Sequence, residues 1–146
     1  MNRLVECVPN FSEGRDEKII NEISQAIESV SGVQILDVDM GADTNRTVVT
    51  FVGSPDSVSE AAFQGVKRAS ELIDMRKHKG THPRMGATDV CPFIPVSNVS
   101  MKDCIEIAKQ TGQRIGNELK IPIYLYENAA SKDCLLYTSP SPRDRG

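Results

Sequence analysis

The chain has 146 residues, 39% hydrophobic and 25% charged, with a formal net charge of −3. That mixture suits one compact domain with a single core. It contains no apolar run of membrane-spanning length and no charge excess that would draw nucleic acid or an anionic membrane. An N-terminus reading Met1-Asn2-Arg3-Leu4-Val5-Glu6 lacks a signal-peptide hydrophobic stretch, so a cytoplasmic location is the expectation.

The first segment, Leu4 to Val8, alternates as a strand and meets a turn-rich loop from Pro9 to Arg15. Ile19, Ile20, Ile23, Ala26, Ile27 and Val30 then recur at three- and four-residue spacing, which predicts a helix with one buried face that stops at Ser31-Gly32. Strands are predicted over Val33 to Val38 and, by β-branched composition, over Thr47 to Val52. Between them Asp39, Asp43, Asn45 and Arg46 form a turn-like polar cluster. Ser54-Pro55 opens a second helix with Val58, Ala61, Ala62, Val66, Ala69 and Ile73 on its apolar face. Asp89 to Val96 reads as a strand that Pro92 and Pro95 would confine to an edge or bulge. A third helix carries Ile105, Ala108, Ile115 and Leu119, and a strand from Ile121 to Tyr126 closes the order.

The order β-α-β-β-α-β-α-β predicts an α+β fold: a ferredoxin-like split-βαβ sandwich with a mainly antiparallel sheet and helices on one face, extended by a further helix and strand. The domain is expected to span residues 1–133. Residues 134–146 shift abruptly to Ser, Pro and Arg and read as appended cloning or adapter sequence, or as a disordered tail.

The stretch from Asp74 to Thr88 has no periodicity and holds both histidines, His78 and His82, beside Lys77, Lys79 and Arg84. A polar loop of that length in a small domain is more often functional than idle. Histidine exchanges protons near neutral pH, and adjacent cations favour its neutral, basic form. A carboxylate that fixes its tautomer would come from Asp39 or Asp89. A metal site is disfavoured, because Gly80 and Pro83 oppose the helix that would bring His78 and His82 together, and the four cysteines lack zinc spacing and read as reduced thiols. Both histidines could equally be surface-loop residues. The Pro9–Arg15 loop joins a strand end to a helix start, a place that suits an anion, although capping by Ser12 or Asp16 would use the same donors.

Three stretches go further: VECVPNFSEGR at 5–15, LDVDMGADTNRTVVTFVG at 36–53 and HPRMGATDVCPFIPV at 82–96. With the intervening helices they resemble the formiminotransferase family from Asn2 to about Ala130. The resemblance implies transfer of a formimino group between N-formimino-L-glutamate and tetrahydrofolate, the co-substrate, with no metal. It also implies a second subdomain not present here, a ligand held between the halves, and a homodimer. His82 corresponds to the family's acid–base residue, Asp39 to a residue that orients it, and Arg84 with Asn10, Phe11 and Ser12 to the substrate-binding groups. A non-catalytic ligand-binding or interaction module of the same fold is the alternative.

Overall fold

A computed structural model of the chain describes residues 2–73, 87–121, 123–127 and 134–138, the last two segments (beyond Ile123) as backbone. In chain order the elements are β1 (Leu4–Cys7), β2 (Asn10–Phe11), α1 (Glu17–Glu28), β3 (Val33–Gly41), β4 (Arg46–Gly53), α2 (Pro55–Leu72), β5 (Thr88–Ser97), α3 (Met101–Arg114), a π-helical turn (Ile115–Leu119), β6 (Ile123–Glu127) and β7 (Cys134–Thr138). None of the described helices is long and apolar enough to cross a membrane.

Each α-helix begins at a capping side chain. Asp16 accepts from the Lys18 N–H to open α1. Ser54 caps α2 with Pro55 in its first turn. Ser100 and Asp103 form a reciprocal capping box on α3. In α1 the buried residues are Ile20, Ile23 and Ile27, and in α2 they include Val58, Ala61, Ala62, Val66 and Ala69, as the spacing predicts. On α3 and the turn after it Ala108 and Ile115 are buried as expected and Ile105 and Leu119 are half-buried, while Cys104, Ile107 and Thr111 extend the buried stripe to one side.

β1 and β2 form one bent line whose register with β4 is unbroken from Val5–Gly53 to Phe11–Thr47. This line lies between β4 and β5, and β3 pairs with the far side of β4. Every pairing is antiparallel, so β1 and β3 run parallel with β4 inserted between them. That is the split-βαβ arrangement expected from the element order. The three helices pack on one sheet face, α1 toward β3, α2 over the centre and α3 toward β5.

Alternation decides what each strand buries. Val5, Cys7, Phe11, Val49, Phe51, Cys91 and Phe93 point under the helices and are at most 2% exposed. Gly65 of α2 brings the helices close, since a Cβ there would lie 3.0 Å from Ile27 and 3.5 Å from Phe11. Arg114 fastens α3 to α2 by pairing with Glu60 and lying 3.7 Å over the Phe63 ring. Its guanidinium holds the Glu60 carboxyl below the usual range.

Cys134–Thr138, which the sequence reading places in the tail, pairs with β5 on one side and β6 on the other. Cys-Leu-Leu-Tyr-Thr is an apolar, β-prone run that precedes the Ser/Pro/Arg shift. Residues 139–146 lie outside those described. β5, expected at an edge or bulge, is interior and bulged, at Val96 beside Pro95 against β1 and at Asp89 against β2. Its prolines are tolerated for a local reason. Val8 donates to the Pro92 carbonyl at 3.1 Å, and the return bond that proline cannot make is supplied by the Asn10 side-chain amide, which donates to the Val8 carbonyl at 3.1 Å. Pro95 lies past the last β5–β7 pair, Phe93 with Cys134.

Gly14 fits a space that no side chain can enter. A Cβ there would meet the Arg46 backbone at 2.5 and 2.8 Å and run into the Gly41 carbonyl. Gly14→Ala should lower stability by about 1–3 kcal/mol, read by denaturant unfolding. Cys7, Cys91 and Cys104 are buried thiols outside any disulfide, with the Cys7 and Cys91 sulfurs 3.5 Å apart. Burial, reinforced by Cys91, raises the Cys7 pKa well above 9.0. The folded chain therefore holds a proton that the unfolded chain releases nearer 9.0. This contribution is intact below the unfolded value and is lost as pH rises toward the folded one. Unfolding measured across about pH 8 to 10 should show falling stability that Cys7→Ala reduces.

Candidate functional site

The helix-free face of the sheet is lined by the residues that alternate with the core. Asp39 of β3 pairs with Val48 of β4, Val48 with Asn10 of β2, and Asn10 with Val90 of β5. One cross-strand row thus carries Asp39 and Asn10 on the same face with Val48 between them, two strand spacings apart, about 10 Å. The next row toward the sheet end carries Arg46 and Asp89, with Ser12 buried between their strands. Asp39 is exposed, and Asn10 is half-buried with its amide committed to Val8.

Asp89 reaches this face through a bulge. Asn10 pairs with Val90 and Phe11 with Thr88, which leaves Asp89 as the extra residue on β5. Bulges re-aim side chains in this way, and they are frequent beside functional sites. The Asp89 carboxylate lies 3.3 Å from an Arg46 Nη across β2, with side-chain exposures of 10% and 31%. Asp89 Oδ1 and Arg46 Nε are buried and find no hydrogen-bond partner among the described residues. The turn cluster read from the sequence contained Arg46, and Asp89 stood as an alternative to Asp39, but their pairing was not foreseen. An isolated basic residue opening a strand whose other members are apolar or threonine was the signal available.

The other expected residues are distributed differently. Phe11, expected among the substrate-binding groups, is wholly buried under α2; the strand alternation that turns Asn10 outward turns Phe11 inward. Ser12 is 1% exposed, and its N–H donates to the Ala87 carbonyl at 2.8 Å. The anion site expected in the Pro9–Arg15 loop is filled by the protein itself. Glu13 Oε2 accepts from the Arg15 and Asp16 N–H groups at 3.0 and 2.9 Å, and Asp16 caps α1. The Gly14 N–H is bound by Asn45 Oδ1 at 2.8 Å. Asn45 adopts a left-handed φ of 54° to present it. These carboxylate and amide oxygens take the donors an anion would need. His82, Arg84, His78, Lys77 and Lys79 lie outside the described residues. Among those described, no group of three His, Cys, Asp or Glu side chains is placed to hold a metal ion.

Chemically, the arrangement offers a carboxylate (Asp39), an arginine held by a second carboxylate (Arg46 with Asp89) and an open apolar floor that includes Val48 and Val90. This suits a ligand carrying both an N–H-bearing cationic end and a carboxylate. Phe11→Ala should cost about 3–5 kcal/mol of stability. A substrate-contact role for that ring would be indicated instead by a variant that unfolds normally.

Residues 4–136 match the formiminotransferase domain, N-terminal subdomain. The chain is 61% identical over 130 residues to a formimidoyltransferase-cyclodeaminase of Rattus norvegicus, covering 89% of this chain and 24% of that protein. A protein of the same name from Dictyostelium discoideum is 58% identical over 132 residues, 90% of this chain and 25% of its own length. A glutamate formimidoyltransferase of Streptococcus pyogenes serotype M1 is 52% identical over 132 residues, 90% and 44% respectively. The chain therefore spans about a quarter of the two-function relatives and under half of the single-function one. With the motifs, the split-βαβ sheet and this match in agreement, the chain belongs to the formiminotransferase family, as its N-terminal subdomain.

Proposed function

We propose that this chain supplies the acid–base and donor-binding half of a glutamate formimidoyltransferase, which moves a formimino group from N-formimino-L-glutamate to tetrahydrofolate. The supporting observation is family membership across residues 4–136, combined with the gathering of Asp39, Asn10, Arg46 and Asp89 on one open sheet face. An exposed face bounded by a polar end suits a ligand that a second subdomain would cover from the opposite side. The chain covers less than half of the streptococcal relative, which leaves length for such a subdomain. Pairing of the intact protein as a homodimer in the cytoplasm belongs to the same reading.

In the reaction, the N5 amine of tetrahydrofolate attacks the amidine carbon and forms a tetrahedral intermediate. His82 takes the proton that N5 must lose and returns it to the glutamate nitrogen as the C–N bond to that nitrogen breaks. Neither nitrogen then leaves or attacks in an unfavourable protonation state. Asp39 fixes the imidazole tautomer. Arg84 holds a carboxylate in this reading. Bringing two substrates together adds a rate contribution of its own.

The test is steady-state transfer by the full-length chain. His82→Ala should lower kcat by about 10²–10⁴ and flatten the pH dependence between about pH 6 and 9. Full activity retained by that variant across the range would remove the assignment.

A further inference from the structure

Among the seven strands, Arg46 is the one basic residue, against Glu6, Asp37, Asp39, Asp89 and Glu127. It opens β4 with its neighbour Thr47 buried under the helices, so its own side chain lies on the helix-free face. There it is 31% exposed, one row from Asp39 and Asn10.

The contact with Asp89 is not the geometry of a pair built for stability. An arginine and a carboxylate optimised for each other meet through two parallel bonds. Here one Nη approaches one oxygen at 3.3 Å, while Arg46 Nε and Asp89 Oδ1 are buried without partners among the described residues. A largely buried aspartate in a bulge is a costly way to gain stability. It does fix the direction of the guanidinium, leaving the exposed part of the fork able to bind another acceptor.

We propose that Arg46 is the binding residue for a carboxylate of the amino-acid donor, with Asp89 as its positioning residue; this rests on the formimidoyltransferase reading. A dicarboxylate placed on a face carrying Glu6, Asp37 and Asp39 needs a cation to offset their repulsion. With one carboxylate on Arg46, the amidinium end can extend toward Asp39 in the adjacent row. The acids and Arg46, the one base on this face among the described residues, thereby orient the ligand in one direction.

The experiment uses the full-length chain, varying formiminoglutamate and tetrahydrofolate separately, with L-glutamate binding followed by calorimetry and folding checked by thermal melts. Arg46→Met should raise the donor KM by about 10–100-fold, leave the folate KM unchanged and weaken L-glutamate binding in parallel. Arg46→Lys should recover part of the loss. Asp89→Asn should raise the donor KM less, and should add nothing in the Arg46→Met background, whereas a merely structural aspartate would add its own effect. Unchanged donor KM in folded Arg46→Met overturns the proposal, as does an effect carried by Arg84→Met alone. If Arg46→Met does not fold, Arg46→Lys and Asp89→Asn replace it, and unchanged donor KM in both overturns the proposal. A wild-type chain that transfers no formimino group yet binds L-glutamate through Arg46 sinks the functional reading and sustains this one.

Discussion

Burial on one side of the sheet governs the rest of the molecule. Phe11, Phe51 and Phe93 enter the space beneath the helices from adjacent strands, and each is fully buried. Because successive strand residues face opposite ways, committing these rings inward commits their neighbours outward. Asn10 is set beside Phe11, and the Val48 and Asp39 of the same row follow from the register. A slip of one residue would exchange the two faces, placing Asn10 in the core and Phe11 in solvent. The polar row is therefore held in place by the apolar packing on the reverse side.

The bent line of β1 and β2 shows how the backbone accommodates this constraint. Pro9 interrupts the strand between Val8 and Asn10, and Pro92 faces it from β5. In place of the missing ladder bond, Asn10 donates from its side chain to Val8. The Pro9 carbonyl still accepts from Val49 at 3.1 Å, which keeps the register with β4 across the bend. Beyond Phe11 the chain turns tightly over Gly14, whose approach to Gly41 and Arg46 packs that loop against the start of β4. Thr47 supports it by donating its hydroxyl to the Glu13 carbonyl. The loop is a packed structural corner, and the polar row stands beside it on the sheet.

Membership of the formiminotransferase family gives this geometry a chemical direction. The chain spans under half of its streptococcal relative, and the proposed reading uses the open sheet face for the ligand and a covering second subdomain. The polar residues on that face carry both signs of charge, Arg46 and Asp89 beside Asp39. Asp89 enters through a bulge rather than by regular alternation. Local irregularity of this kind is a common way for a sheet to place a carboxylate where its pleat alone would not.

The sequence by itself determined the order of the elements as far as Tyr126, the opening of α2 at Ser54-Pro55, the apolar faces of α1 and α2, and the family. Each of these is written in residues close together in the chain: a period of three to four, an oxygen-bearing side chain before a helix, or a motif read through. Tertiary structure alone decided that Phe11 is core, that Pro92 can sit between two strands, that Cys134–Thr138 pairs with β5, and that Arg46 meets Asp89 across β2. Those outcomes depend on register and on a one-residue bulge between distant segments. Local periodicity carries no information about which distant residues face one another, because that is set by the combined packing of all the strands.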